Sequence, residues 1–304
     1  MKNQVYDVAY IGNYTKDTIV SPSGVRYVDG GAVNYAAHAG ARLGLKVAVV
    51  TRLAREDQRV VDSLIQAGID CFPKYTPHST CVKLEYPTLD PDQRNLYVTS
   101  TAGSISLEQV APIEAHALVI GTTLRGEVGL EVVQALRQRH AILAADVQGY
   151  VRVLRGQSIV YEPWEEMQAV LGCLDILKSD AVEAEYLTGA ADIHQAAQIF
   201  AAAGPQEIVL THKDGLLIYA HGKSYELGFY PQSLAGRSGR GDTCLGSYVA
   251  MRLSTSPLEA GVWAAAVTSL KMETLGPFNR PIGDVEELIR LRYRNGSSPR
   301  PSAA

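Results

Sequence analysis

A glycine-rich stretch in the last third of the chain has residue types suited to phosphoryl transfer. Residues 239–243 read Gly-Arg-Gly-Asp-Thr and lead into a segment with apolar residues at helical spacing. Glycines at 239 and 241 allow backbone conformations closed to other residues, so consecutive N–H groups can point into one concavity. A helix start adds unpaired N–H donors and a positive dipole end, which together stabilise negative charge.

The aspartate of this stretch, Asp242, is the candidate general base. A substrate hydroxyl between Asp242 and a phosphate would give its proton to the carboxylate as it attacks. Assistance of this kind is worth about 10²–10⁴ in rate. The alternative is that the stretch is a loop and that Asp242 only caps the following helix.

A second group of polar and glycine residues lies near the amino end. Gly30 and Gly31 allow the backbone to approach a ligand, and Asn34 offers both a donor and an acceptor to a hydroxyl. Asp17 adds an acceptor suited to a polyhydroxylated ligand. The alternative is a hairpin followed by a helix that happens to carry Asn34.

The elements that must position these residues alternate between strands and helices. Strands are predicted at 5–12, 46–51, 117–120, 141–146, 174–177 and 208–211, and helices at 34–43, 127–139, 181–187 and 193–202. This alternation predicts an α/β fold whose mostly parallel sheet is covered by helices on both faces.

Two regions interrupt the alternation. Residues 14–30 and 71–100 contain short alternating segments separated by turns, and they are predicted to form a small antiparallel sheet that acts as a lid. Helices are predicted at 242–252, 257–275 and 285–293, and 295–304 is predicted to be a disordered tail.

Composition excludes several classes of protein. The net charge of −4 and the scattered basic residues argue against nucleic acid as a partner. The four cysteines show no metal-ligand spacing. There is neither a signal-peptide pattern nor a run of about 18 apolar residues. We therefore expect a cytoplasmic protein that does not enter membranes.

Three ordered motifs resemble those of the ribokinase-like, or PfkB, family of carbohydrate kinases. Gly30-Gly31 with Asn34 resembles the family's substrate motif, residues 180–189 its Asn-x-x-Glu segment, and residues 239–243 its Gly-Ala-Gly-Asp-Thr signature. Their order and spacing, across nearly the whole chain, are more specific than any one motif.

This resemblance implies one kinase domain over residues 1–294, Rossmann-like with a β-sheet lid. It implies ATP as the phosphoryl donor, Asp242 as the base, and an anion hole formed by the amides of Gly239, Arg240 and Gly241. The chain lacks GxxxxGK[ST], so it is not a P-loop kinase.

The resemblance also assigns the remaining binding residues. Asp17, Gly30, Gly31 and Asn34 would hold substrate hydroxyls. Residues that would lie by the nucleotide and its metal are Asp180, Thr211 and Gly215, with Glu183 holding Mg²⁺ through water.

The chain departs from the family pattern at several positions. Asp180 replaces the usual Asn, and Arg240 replaces a small alanine and could place a positive group near the phosphates. Gly236-Arg237 replaces the usual Asp-Thr before the signature, which leaves activation by a monovalent cation open.

Short fragments resemble the inositol-kinase branch of the family. They lie at 12–17, 177–180 and 269–277, and they make myo-inositol the leading candidate substrate, with ribose, another sugar or a nucleoside as rivals.

The alternative from another class is a non-catalytic ligand-binding or regulatory protein on the same fold. A dehydrogenase is disfavoured, because GxGxxG is missing after the first strand. An exposed lid edge could pair two copies into a homodimer.

Overall fold

A computed structural model describes residues 4–22, 24–88, 95–236 and 238–294. The predicted tail at 295–304 and Arg237 lie outside the described residues. The strands, in chain order, are β1 (Val5–Ile11), β2 (Thr15–Ser21), β3 (Gly24–Gly30), β4 (Val47–Ala54), β5 (Asp70–Thr76), β6 (Thr80–Glu85), β7 (Asn95–Ser100), β8 (Glu114–Ile120), β9 (Ile142–Asp146), β10 (Arg152–Arg155), β11 (Ser158–Tyr161), β12 (Ile176–Asp180), β13 (Glu207–Thr211), β14 (Gly215–Ala220) and β15 (Lys223–Gly228).

The helices, in chain order, are α1 (Ala32–Arg42), α2 (Gln58–Gln66), α3 (Leu107–Val110), α4 (Leu130–Arg137), α5 (Gln148–Val151), α6 (Met167–Leu171), α7 (Ala181–Thr188), α8 (Ile193–Ala202), α9 (Arg240–Arg252), α10 (Pro257–Met272) and α11 (Ile282–Ile289). A 3₁₀ turn at Arg55–Asp57 precedes α2, and a π-helical turn at Arg290–Arg294 follows α11. Within the described ranges, every helix is too short or too polar to cross a bilayer.

The large sheet has the order β15-β14-β13-β12-β9-β8-β1-β4-β5. The strands from β5 to β13 are parallel, and β14 and β15 extend the sheet as an antiparallel edge. Its central strands are almost entirely buried, as strands covered on both faces must be. One face packs against α4, α7 and α8, and the other against α1, α9 and α10. The predicted α/β fold is confirmed.

The small sheet has the order β10-β11-β7-β6-β2-β3. Its pairs are antiparallel except for β2 with β6, and a cluster that includes Ile19, Val82 and Leu84 packs it together.

The structure differs from the predicted lid boundaries in two ways. Within 71–100, β5 is the parallel edge strand of the large sheet. Its half-exposed alternation and Pro73 are features that an edge strand tolerates and that resemble an antiparallel segment. The hairpin β10–β11 joins the small sheet although its sequence lies inside the α/β alternation.

Close packing of α9 on α1 requires glycine at 246. A Cβ there would lie 2.6 Å from the Cα of Ala36, and the Gly246 carbonyl also accepts a hydrogen bond from the Tyr10 hydroxyl at 3.0 Å. Helix α9 therefore packs closely against α1, and α1 begins directly after β3 of the small sheet.

We expect Gly246→Ala to lower the free energy of unfolding by about 1–3 kcal/mol, because two backbones would have to separate. The matched control is Gly283→Ala in α11, where a Cβ meets nothing within 4 Å. It should stabilise the helix by about 0.5–1 kcal/mol. Urea unfolding monitored by circular dichroism checks both, and equal midpoints for the two variants would contradict the packing argument.

Candidate functional site

The carboxyl ends of the central parallel strands and the start of α9 meet at one edge of the large sheet. Gly121 follows β8, Asp146 ends β9, and both line a small cavity together with Asp242 of α9. The carboxyl edge of a parallel sheet is the usual place for a ligand in open α/β folds.

The first turn of α9 needs glycine at two positions for different reasons. Gly239 is the N-cap residue with φ 76°, in the left-handed region, and a Cβ there would lie 2.2 Å from the Tyr35 ring. At Gly241 a Cβ would lie 2.6 Å from the ammonium of Lys178. The first bond of the helix runs from the Thr243 N–H to the Gly239 carbonyl, which leaves the preceding amides without helical partners.

The Asp242 carboxyl lies on this first turn, and its pKa is raised to about 6. The largest cause is burial, followed by repulsion from Asp146, while Lys178, Arg152 and Lys271 lower the pKa. The group is therefore ionised at pH 7 and still basic enough to accept a proton.

A buried ion pair lies directly beneath the turn. The Lys178 ammonium is 2.7 Å from Asp146 Oδ2, and both side chains are less than 5% exposed. Attraction from Asp146, Glu183 and other carboxylates more than offsets burial and raises the pKa of Lys178. The ammonium consequently remains charged below the amides of α9.

A cavity of about 110 Å³ opens beside Asp242, between α9 and the small sheet. Its wall combines polar groups with apolar side chains from the small sheet. The lining residues are Thr15, Asp17, Gly31, Ala32, Tyr35, Val82, Leu84, Leu96, Thr123, Gln148, Arg152, Ser238, Gly239 and Asp242.

Asp17 of β2 contributes a second carboxylate to this cavity. Its pKa is raised to about 6, mainly by burial and in part by the charge of Asp242, and a hydrogen bond from Thr15 opposes the shift. Its Oδ1 atom is buried and has no hydrogen-bond partner among the residues that the structure describes. An acceptor in this state needs a ligand donor.

The other predicted substrate residues lie at the junction between β3 and α1, beside Asp17. Gly30 must lack a side chain, because a Cβ there would lie 2.2 Å from the Asp17 carboxylate, and Gly31 has φ 94°. The Asn34 amide donates to the Asp29 carbonyl at 3.1 Å, and Asn34 is not among the lining residues of the cavity. The structure thus places Asn34 outside the cavity and Gly31 in its wall.

The turn after β13 lies close to the start of α9. Thr211 ends β13 fully buried, and the His212 N–H donates to the Gly215 carbonyl at 2.9 Å. Burial lowers the pKa of His212, and the positive charges of Arg240 and Lys213 lower it further. The positive charge of Arg240 therefore acts on this turn.

Asp180 and Glu183 form a capping box at the start of α7. The Glu183 N–H donates to Asp180 Oδ1 at 2.8 Å, and Arg152 Nη2 lies 3.3 Å from Glu183 Oε1. Burial, followed by the charge of Asp180, raises the pKa of Glu183 to about 7. In the described ranges no three His, Cys, Asp or Glu side chains are arranged to hold a metal ion. The carboxylate oxygens of Asp180 and Glu183 are the kind of ligand that suits a magnesium ion held largely through water.

Three cations of the site were not predicted from the sequence as functional residues. Lys178 and Lys271 are buried lysines inside apolar stretches of β12 and α10, a pattern that signals a paired charge. Arg152 comes from the unpredicted hairpin β10–β11, and no local pattern around it points to the site.

Comparison with known proteins identifies the family and the fold of this chain. Residues 3–279 match the family model described as pfkB family carbohydrate kinase. A solved pyrophosphate-dependent kinase in the ribokinase family, complexed with a pyrophosphate analog and myo-inositol, is 33% identical, with a TM-score of 0.85 and coverage of 92% of this chain and 99% of that chain.

Two further relatives are more distant. Arabidopsis thaliana ribokinase complexed with ribose and ATP is 19% identical, with a TM-score of 0.75 and coverage of 94% of this chain and 99% of that chain, and it shares the fold. A cytidine kinase of Thermococcus kodakarensis is 24% identical over 263 residues, which are 83% of this chain and 91% of the relative. With the family model matched over most of its length, the chain belongs to the PfkB family of carbohydrate kinases and is a phosphotransferase that acts on a hydroxyl group.

Proposed function

We propose that this enzyme phosphorylates a hydroxyl of a cyclic polyol, with myo-inositol as the leading acceptor and pyrophosphate as the donor. The observation that carries the proposal is the position of Asp242, whose buried carboxylate shares one cavity with Gly239, the N-cap of α9, and with Asp17. A base, an anion hole and an acceptor site are then within one small volume.

The acceptor side suits a ligand that has hydroxyls around a ring. Asp17 offers an unpartnered oxygen, Arg152 offers N–H donors, and Thr123 and Gln148 offer both kinds of group. Val82 and Leu84 of the small sheet face the same cavity and can cover the C–H surface of a ring. The solved neighbour that contains myo-inositol supports this choice of acceptor.

The chemistry follows from the charges around Asp242. The carboxylate accepts the hydroxyl proton while the acceptor oxygen attacks the terminal phosphorus of the donor, and the bond from that phosphorus to the leaving phosphate breaks. The amides at 239–241 and the ammonium of Lys178 below them stabilise the negative charge of the transferring group.

The donor side favours a compact, highly charged molecule. Arg240 replaces the alanine usual in the signature, and its positive charge, like that of Lys213, acts on His212 in the turn after β13. Pyrophosphate is recognised only through its phosphates, so added cations raise its affinity directly. The 33% identity with a pyrophosphate-dependent kinase supports the same choice.

ATP is the alternative donor, since the family includes a ribokinase solved with ATP. With either donor, Glu183 and Asp180 would hold Mg²⁺ through water, and the ion would neutralise phosphate charge. A nucleoside is the alternative acceptor, in view of the similarity to a cytidine kinase.

Donor and acceptor are tested together by ³¹P NMR on a panel of pyrophosphate and ATP with myo-inositol, ribose and cytidine. We expect pyrophosphate with myo-inositol to give a phosphomonoester and orthophosphate in equal amounts. A higher kcat/KM with ATP would overturn the donor assignment. A higher kcat/KM with ribose or cytidine would overturn the acceptor assignment.

Arg240→Ala should raise the KM for pyrophosphate about tenfold or more, because a charge-assisted contact worth about 1.5–3 kcal/mol is lost while the backbone amide remains. The matched control is Lys223→Ala. Lys223 pairs with Ala220 at the end of the β14–β15 hairpin opposite Gly215, so this variant removes an equal charge away from the donor turn. Equal KM values for the two variants would contradict the role of Arg240.

Asp242→Asn should lower kcat at least about a hundredfold. In the wild type, kcat/KM should rise with pH through about 6, because Asp242 must lose its proton before it can act as a base. Wild-type turnover in Asp242→Asn would exclude this aspartate from the mechanism.

Asp17→Asn should keep the acid limb of the pH profile but shift it to lower pH, since a repelling charge is removed. It should also raise the KM for the polyol more than it lowers kcat.

A further inference from the structure

Lys271 is a buried cation whose place in the fold is unusual. It lies in the last turn of α10, is 1% exposed, and is surrounded in sequence by apolar residues. Burial of an ammonium costs several kcal/mol unless hydrogen bonds and charges compensate, by the general behaviour of buried ions. Its contacts therefore indicate what the charge is for.

The ammonium of Lys271 binds the segment that leads into α9. It donates to the Gly236 carbonyl at 2.9 Å and also to the Ser238 carbonyl. It lies 5.1 Å from the centre of the Tyr35 ring, and the negative charge of Asp242 raises its pKa against the effect of burial. The Lys271 ammonium of α10 therefore contacts both α1, through Tyr35, and the segment that precedes α9.

The backbone of this segment is also held by the residues that end α10 and follow it. The N–H groups of Ala235 and Gly236 both donate to the Met272 carbonyl at 3.0 Å, and a Cβ at Gly236 would lie 2.0 Å from the Thr274 carbonyl oxygen. The carbonyls at 236 and 238 consequently point at one place. Converging carbonyl oxygens are the ligands that an alkali-metal ion uses, and in this chain an ammonium occupies that position.

We propose that Lys271 is a positioning residue that acts as a built-in monovalent cation: it fixes the Gly236 and Ser238 carbonyls, and through them the amides at 239–241, so that phosphoryl transfer needs no alkali-metal ion. The inference rests on the proposed function for its kinetic part. Activation by a monovalent cation, which the replacement of Asp-Thr by Gly236-Arg237 left open, is then not needed.

A neighbouring cavity makes the position accessible to small ions. It has a volume of about 250 Å³ and is lined by Lys271, Gly236, Ser238 and Tyr35, among others. Methylammonium or K⁺ can therefore enter if the lysine side chain is shortened.

The first test compares wild type and Lys271→Ala in tetramethylammonium buffer, with added K⁺, NH₄⁺ or methylammonium. Wild-type kcat should change less than twofold. Lys271→Ala should lose at least about tenfold in kcat/KM for the donor, with a smaller change in the KM for the acceptor, and should recover saturably with methylammonium or K⁺. The control Lys223→Ala should behave as wild type.

Two kinetic outcomes would overturn the proposal. One is saturable activation of the wild type by K⁺, and the other is a folded Lys271→Ala variant that either keeps full activity or is rescued by none of the ions. Absence of transferase activity in the wild type with every donor and acceptor would instead refute the proposed function.

A thermal-shift measurement tests cation binding at the Gly236 and Ser238 carbonyls independently of enzyme activity. K⁺ and methylammonium should raise the melting temperature of Lys271→Ala relative to tetramethylammonium and leave that of the wild type unchanged. If Lys271→Ala does not fold, Lys271→Met is used for the pH profile below. The K⁺ response of the wild type then tests whether Lys271 already occupies the position between the Gly236 and Ser238 carbonyls.

The pH profile gives a signature that a purely structural lysine would not show. Burial lowers the pKa of Lys271 to about 8, and the facing groups are the Asp242 carboxylate and the Tyr35 ring, whose phenol burial keeps neutral. Because the ammonium must be protonated to hold the carbonyls, wild-type kcat/KM for the donor should fall as pH rises through about 8. Lys271→Met should show no such alkaline limb, and a limb that persists in it would contradict the proposal.

Discussion

The rest of the site depends on the electrostatic balance around one carboxylate. Asp242 lies within protein at the start of α9, where burial and the charge of Asp146 favour its neutral form. Lys178, Arg152 and Lys271 oppose that tendency from three different elements. Such a balance gives a base that is ionised at neutral pH and still able to take a proton. Glycine fits at 239 and 241 because a Cβ would lie 2.2 Å from the Tyr35 ring at the first position and 2.6 Å from the Lys178 ammonium at the second.

The small sheet completes the site by adding a second carboxylate over the first. Asp17 reaches the cavity because β2 leaves the carboxyl edge of the large sheet directly after β1, and β3 returns to it at Gly31. The charge of Asp242 acts on Asp17 and raises its pKa. Under the proposed function, a polyol with one hydroxyl donating to each carboxylate would relieve that repulsion.

The sequence was sufficient where a feature depends on neighbouring residues alone. The glycine pair before Asp242 and the Gly30-Gly31 turn could be predicted because each depends on local backbone geometry. The parallel sheet could be predicted from buried strands that alternate with helices. Arg152 and the placement of β5 could not, because sheet pairing is decided by long-range contacts that periodicity does not encode. Lys271 gave only a weak signal, a charged residue in an apolar helix.

Tyr35 links the end of the small sheet to the start of α9. It stands four residues after Gly31, where the small sheet ends, and its ring touches both the Gly239 turn and the Lys271 ammonium. Because the Tyr35 backbone belongs to α1 and its ring lies against both Gly239 and Lys271, the end of the small sheet and the start of α9 depend on the position of the same side chain.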